Sequence, residues 1–197
     1  MNELEQSLTR IAKELTDLKQ SFALVGGLAV SSRAEPRMTR DADLAVAVAN
    51  DEAAELLIYQ LRQIGYVVDT IVEDFRANRL STVRLTFPDD RGLVVDLLFA
   101  SSGIEDVIAA SASILAVLPG CELPVATVGH LIAMKLLARD DRHRPADADD
   151  LRALAEVASE HDWAQASNAI ALITHRGFHR NRDLGTALQI LRQDGAF

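Results

Sequence analysis

The chain has 197 residues, of which 49% are apolar and 25% charged, so its composition indicates one globular domain or a core with a helical extension and excludes long disorder or a fibrous chain. Acidic residues number 29 and basic residues 20, a net charge of −9 that argues against non-specific coating of nucleic acid but leaves nucleotide binding open. The single cysteine, the acidic N-terminus and the lack of a bilayer-length apolar run predict a cytoplasmic protein without a membrane span.

The first 120 residues show alternating helix and strand patterns. The expected helices are 2–20, 28–34 and 51–64. The expected strands are 22–25, 43–48 and 66–72, followed by a hairpin of 82–87 and 93–99 around a turn-rich loop. We therefore expect a mixed β-sheet with flanking helices, an α/β fold.

Beyond Pro119-Gly120 and Pro124 the pattern is helical to the end. The expected helices there are 127–139, 147–159, 162–173 and 182–193. We accordingly divide the chain into an α/β core, residues 1–120, and a helical C-terminal part, residues 121–197, that completes the site. A basic loop at 174–182 separates the last two helices, and we expect it to be solvated.

Three aspartates carry the chemistry of the core. Asp41 and Asp43 are two residues apart at the start of a strand, so their side chains share a face. Asp96 is the only polar residue of the apolar run 93–99, and a buried carboxylate needs a partner or a metal. If the two strands are adjacent, three hard oxygen ligands suited to Mg²⁺ or Mn²⁺ converge. Considered separately, Asp41 and Asp43 could be solvated acids at the start of a strand. Asp96 could lie at a sheet edge or pair with an arginine.

A glycine pair and a basic loop precede these acids. Gly26 and Gly27 end a buried strand at the start of a helix, where backbone N–H groups can cradle phosphate. Arg33, Arg37 and Arg40 bring positive charge near the same point. The sequence does not say which of the three contacts phosphate and which pairs with a surface acid.

These segments resemble the signature of the nucleotidyltransferase superfamily, a glycine pair followed by D-x-D. Within it the chain is similar to the AbiEii/AbiGii-type toxin nucleotidyltransferases, which include MenT-like toxins. The matching segments are Gly26-Gly27, Arg37-Met38-Thr39-Arg40-Asp41-Ala42-Asp43-Leu44, Lys135 and Asp147-Ala148-Asp149-Asp150-Leu151. The likeness covers roughly residues 22–155. Ala146 stands where the family often has a lysine.

The resemblance implies a nucleotidyltransferase fold and the transfer of a nucleoside monophosphate from an NTP, with release of pyrophosphate. In this reading Asp41 and Asp43 hold Mg²⁺ or Mn²⁺, and Asp96 completes the metal site or accepts the proton of the attacking hydroxyl. The residues expected to hold phosphates are Gly26, Gly27, Arg37 and Thr39. A toxin-like enzyme of this kind would act on tRNA and have a cognate antitoxin.

The helical part would complete the site. Lys135 lies on or beside the apolar stripe of its helix, so by itself it reads as a lysine that extends to solvent. The resemblance instead gives it a role on the triphosphate or the leaving pyrophosphate. Asp147 and Asp150 share a helical face, and spacing does not decide which one is functional. Asp147 also fits the cap of its helix.

Two other functions remain open. Small-molecule nucleotidyltransferases that modify aminoglycoside or lincosamide antibiotics share the glycine and D-x-D pattern, and an acidic chain suits a cationic acceptor. A non-catalytic member of the fold that binds a partner protein is the third possibility.

Overall fold

The computed structural model describes residues 3–35, 41–74, 78–87, 94–140 and 146–195. Within these ranges seven strands form one mixed sheet: β1 (Phe22–Val25), β2 (Asp41–Val46), β3 (Val67–Asp74), β4 (Arg79–Thr86), β5 (Val94–Leu98), β6 (Ser113–Leu118) and β7 (Cys121–Val125). The same ranges contain eight helices: α1 (Glu3–Asp17), α2 (Gly26–Arg33), α3 (Asp51–Gln63), α4 (Glu105–Ser111), α5 (Val128–Ala138), α6 (Ala146–Val157), α7 (Glu160–His175) and α8 (Leu184–Asp194). The expected α/β class with a mixed sheet and flanking helices is confirmed.

The strand order is β3-β4-β5-β2-β1-β7-β6. The β2–β5 and β1–β7 pairs are parallel, and the other neighbours are antiparallel. The hairpin expected from the sequence is the β4–β5 pair. Since β5 lies directly beside β2, the strand that carries Asp96 is the neighbour of the strand that carries Asp41 and Asp43.

The sheet extends past residue 120, where we expected only helices. β6 and β7 form a hairpin around Pro119-Gly120, with Gly120 at φ +77°, the geometry of a type II turn. Pro124 lies inside β7. Because a proline lacks the backbone N–H that a strand donates, its presence argues against a strand when only the sequence is considered. The seven-residue α4 was also missed, because it is too short to show a helical period.

The core is built from the apolar faces that the sequence displays. In α1, Leu8, Ile11 and Leu15 are fully buried, and burial of each such side chain is worth about 1.5–3 kcal/mol. Asn50 caps α3 by accepting from Ala53 N–H at 2.9 Å. Ser159 opens α7 with a capping box. Among the described residues no helix is both long and apolar enough to cross a membrane.

The C-terminal helices pack against one another and against the core. α5 and α7 approach so closely that a Cβ on Gly129 would lie 2.5 Å from the carbonyl oxygen of Asp162. Most residues of the basic loop after α7 are exposed, as expected, although its arginines also contact the rest of the protein. Arg176 pairs with Asp106 at 2.9 Å, and Arg182 donates to the carbonyl oxygen of Arg139. The loop therefore contacts α4 through Arg176 and the end of α5 through Arg182.

Candidate active site

Charged side chains from three strands form one row across the sheet. Arg84 of β4 lies opposite Asp96 of β5, Asp96 lies opposite Asp43 of β2, and Asp43 lies opposite Val25 of β1. Cross-strand partners project to the same face of a sheet, so the register places these charges side by side. Asp41 is two residues before Asp43 and shares its face. We call Arg84, Asp96, Asp43 and Asp41 the strand cluster.

Position 26 requires a glycine, because a side chain there would collide with the strand cluster. Its φ is +65°, a left-handed conformation that glycine adopts at no steric cost. A Cβ at this position would lie 1.9 Å from Oδ2 of Asp43. The turn between β1 and α2 therefore brings the backbone directly against the carboxylate of Asp43.

Asp96 is held by an arginine. Nε of Arg84 donates to its Oδ1 at 2.8 Å, and an Nη atom of Arg84 donates to its Oδ2 at 2.8 Å. The hydrogen bond to Asp96, with the nearby charges of Asp41 and Asp69, raises the pKa of the Arg84 guanidinium above its usual value. Of the alternatives left open for Asp96, the structure shows the arginine partner.

Part of the strand cluster suits a hard divalent cation. Asp41 and Asp43 provide carboxylate oxygens on one face, the donor type that Mg²⁺ and Mn²⁺ prefer. Both oxygens of Asp96 are engaged by Arg84, however, and the part of the chain that the structure describes contains no group of three or more potential ligands assembled to hold a metal ion. The donor chemistry therefore fits at Asp41 and Asp43, whereas at Asp96 a cation would have to compete with the Arg84 guanidinium.

A second charged cluster lies between α5 and α6. The Nζ atom of Lys135 lies 2.8 Å from Oδ1 of Asp147 and 2.7 Å from Oδ2 of Asp150. Lys135 is only 6% exposed and each aspartate 2%, so the lysine does not extend to solvent. Asp147 is the second residue of α6, inside the helix rather than at the capping position. We call Lys135, Asp147 and Asp150 the helix cluster.

One pocket of about 250 Å³ connects the two clusters. Its polar lining includes Gly26, Asp43, Asp96 and Lys135. Its apolar lining includes Val72, Leu98, Leu131, Met134 and Leu137. Such a mixture of apolar wall and few polar groups is typical of small-molecule sites.

Two residues line the pocket that the sequence analysis did not assign to the site. Arg180 lines the pocket from the loop after α7, where its φ is +53° and its guanidinium donates to the carbonyl oxygen of Ser101 at 2.8 Å. Ser102 lines it from the turn after β5 and donates to Glu105 through its backbone N–H at 2.6 Å and its hydroxyl at 2.9 Å. Burial raises the pKa of Glu105. The sequence offered one signal for Arg180, its place in the basic loop at 174–182, and none for Ser102.

Other expected site residues lie elsewhere or outside the described chain. Arg33 donates to the carbonyl oxygens of Ala126 at 3.0 Å and Val125 at 2.9 Å, and to Ser113, so it holds β6 and β7 instead of lining the pocket. Gly27 is a buried residue in the first turn of α2, beside Gly26. Three further candidates, Arg37, Thr39 and Arg40, lie outside the residues that the structure describes.

The fold is similar to that of solved nucleotidyltransferase-like proteins. An antigenic nucleotidyltransferase-like protein from Paracoccidioides brasiliensis is 18% identical, with a TM-score of 0.54 over 95% of this chain and 92% of that one. A candidate nucleotidyltransferase from H. pylori is 16% identical, with a TM-score of 0.46 over 97% and 91%. The lincomycin-bound lincosamide adenylyltransferase LnuA is 15% identical, with a TM-score of 0.42 over 85% and 97%. No curated protein matches the chain significantly.

A mixed sheet of this order, with neighbouring strands that carry aspartates beside a glycine turn, has the nucleotidyltransferase-like fold. The family model described as "Nucleotidyl transferase AbiEii toxin, Type IV TA system" matches residues 10–195. The chain therefore belongs to the AbiEii family of nucleotidyltransferase-type toxins, as its motifs indicated.

Proposed function

We propose that this protein transfers a nucleoside monophosphate from an NTP to tRNA, with release of pyrophosphate, as the toxin of a toxin–antitoxin pair. The observation that carries the proposal is the shared pocket, in which Gly26, Asp43, Asp96 and Lys135 come from four different elements to line one cavity. Membership of a family of nucleotidyltransferase toxins supports both the reaction class and a cognate antitoxin.

The carboxylates of β2 would bind the metal. Asp41 and Asp43 are the residues we assign to Mg²⁺ or Mn²⁺, and the bound ion would supply charge neutralisation on the triphosphate. Gly26 contributes by lying against Asp43, which restricts that carboxylate to one side of the β1–α2 turn. Asp96 is adjacent in the row and belongs to the same set of acids, as a further ligand or as the acceptor of the hydroxyl proton.

The cationic side of the site would come from Lys135. An ammonium group has three donors, of which Asp147 and Asp150 each take one. We assign the third to a phosphate oxygen of the NTP, because Lys135 lines the pocket that Asp43 also lines. The two aspartates fix the position of the ammonium group. The family resemblance adds Gly27, Arg37 and Thr39 as phosphate contacts.

Transfer is tested by incubation of the purified protein with each α-labelled NTP, Mg²⁺ and total tRNA. The comparison uses the wild-type protein, Asp43→Asn, and Asp149→Asn as a control for loss of an exposed acid. Asp149 lies in α6 and pairs at the surface with Arg152. We expect label in tRNA with the wild-type and control proteins and none with Asp43→Asn.

Parallel reactions replace tRNA with an aminoglycoside or a lincosamide. Label in the antibiotic alone would overturn the tRNA acceptor and keep the reaction class. Absence of label in every acceptor, together with no Mg²⁺-dependent shift in Tm on addition of any NTP, would overturn the enzyme and favour a partner-binding protein.

A further inference from the structure

Arg84 and Asp96 form an ion pair inside the strand cluster, at the position where the proposed function needs a carboxylate. Both oxygens of Asp96 accept hydrogen bonds from the guanidinium fork, each at 2.8 Å. This two-point geometry is the strongest hydrogen bonding that a carboxylate makes with a side chain. Each oxygen keeps a second lone pair, but a cation that used it would lie against the guanidinium charge, so cation binding at Asp96 opposes the pairing with Arg84.

The position of the ion pair allows a cation to replace Arg84 at Asp96. The side chain of Asp96 is 12% exposed, whereas that of Arg84 is 43% exposed. Arg84 lies at one end of the row, and its guanidinium can turn outward and stay hydrated when a cation replaces it at Asp96. Asp96 remains in the pocket with Asp43, its neighbour in the row.

We propose that Arg84 competes with the divalent cation for Asp96, so that in the nucleotide-free protein Asp96 is withheld from the metal and Asp41 and Asp43 bind it without the third acid. The inference rests on the proposed function, because it assumes that these aspartates bind a metal. It makes Arg84 a positioning residue that sets metal affinity and acts through Asp96.

The test is titration of Mn²⁺ without nucleotide, with free Mn²⁺ followed by electron paramagnetic resonance. The proteins are the wild type, Arg84→Gln, the double variant Arg84→Gln/Asp96→Asn, and Arg79→Gln. Arg79 is the matched control. It is also a β4 arginine that donates to an aspartate, but its partner, Asp51, lies outside the pocket. We expect about tenfold tighter Mn²⁺ binding in Arg84→Gln, since hydrogen bonds to charged groups must no longer be broken.

The double variant separates ligation from loss of positive charge. If Asp96 becomes a ligand in Arg84→Gln, its removal should abolish the tenfold gain, and Arg79→Gln should stay within about twofold of the wild type. Equal Mn²⁺ affinity in Arg84→Gln and in the double variant would overturn the proposal, because the gain would then come from charge alone.

A second variant keeps the test decisive if Arg84→Gln does not fold. Arg84→Lys retains the positive charge but offers one point of contact instead of a fork. We expect it to bind Mn²⁺ about threefold more tightly than the wild type, and unchanged affinity would contradict the proposal. Failure of the wild type to bind Mn²⁺ even with ATP would instead overturn the proposed function.

Discussion

The strand cluster and the helix cluster both pair aspartates with one basic side chain, yet they differ in exposure. In the strand cluster Arg84 is close to half exposed, and its partner borders the pocket. In the helix cluster Lys135 is 7% exposed at its side chain, and its partners are 3% and 1% exposed. A ligand from solvent can replace Arg84 at Asp96. In the helix cluster, by contrast, the aspartates that hold Lys135 are almost inaccessible to solvent.

The difference in exposure determines how much each charged cluster contributes to stability and how readily it can bind a ligand. In the Arg84–Asp96 pair, water screens the arginine side, whereas Asp96 is only 12% exposed, so the pair contributes more than a surface pair but less than a fully buried one. A closed cluster must keep all its members, since removal of one leaves an uncompensated charge in the interior. We therefore expect substitutions in the strand cluster to act mainly on ligand binding, and those in the helix cluster to reduce stability as well as any binding through Lys135.

The largest effect should follow from Lys135→Met. The change leaves Asp147 and Asp150 without their shared cation in a buried position, which should lower the free energy of unfolding by about 3–5 kcal/mol. Urea denaturation followed by circular dichroism measures this. Arg84→Gln in the same assay should cost less, about 1–2 kcal/mol, because Asp96 loses its partner but borders the pocket. Equal losses in the two variants would remove the distinction between the clusters.

Gly26→Ala tests the contact at the open cluster. The new Cβ would overlap Oδ2 of Asp43 and force that carboxylate to move, so transfer activity should fall about a hundredfold. Gly195→Ala is the matched control, because Gly195 has the same φ of +65° and nothing within 4 Å of its added Cβ. Both variants should lose about 1–2 kcal/mol of stability through backbone strain. Loss of activity in the control as well would contradict a specific role for the contact with Asp43.

Arg33→Gln tests the basic residue that lies in neither cluster. Because Arg33 binds carbonyl oxygens at the end of β7, its loss should cost on the order of 1–2 kcal/mol of stability and leave the KM for NTP unchanged. The exposed Arg152→Gln is the control and should be nearly silent. A raised KM in Arg33→Gln would return Arg33 to the set of phosphate contacts.

The smallest effect concerns His130, which is 2% exposed on the same helix as Lys135. Burial lowers the pKa of its imidazole below the ordinary 6.5, so the folded protein keeps it neutral. As pH falls below 6.5, His130 is protonated in the unfolded chain but stays neutral in the folded chain. The free energy of unfolding therefore decreases.

His130→Asn removes this titration. Between pH 7.5 and 5.5, the free energy of unfolding should fall more steeply in the wild type than in His130→Asn, measured by urea denaturation at each pH. The exposed His161→Asn should follow the wild-type curve. Parallel curves for His130→Asn and the wild type would contradict the assignment.

Much of the fold could be predicted from local pattern. Helices α1, α3 and α5 to α8 were expected within a few residues of their observed bounds, because each has an apolar stripe of helical period. β6 and β7 could not be predicted, since β7 contains Pro124 and β6 is a short continuous apolar run without strand alternation. Their strand identity depends on pairing with each other and with β1, which is a tertiary property.

The candidate site was predictable as residue types and in part as geometry. The i, i+2 spacing put Asp41 and Asp43 on one face, and the apolar setting of Asp96 required a partner. Arg84 could not be identified as that partner, because the register of β4 against β5 decides it. The roles assigned to these residues stay predictions until transfer and metal binding are measured.

The sequence by itself determined which residue types the protein has for its chemistry, since glycine, aspartate and lysine at these spacings define the family motifs. The tertiary structure alone decided which charges meet. Lys135 and Asp147 are 12 residues apart on different helices, and Arg84, Asp96 and Asp43 are on three strands. Contacts between elements depend on strand register and helix packing, and only the folded chain fixes those.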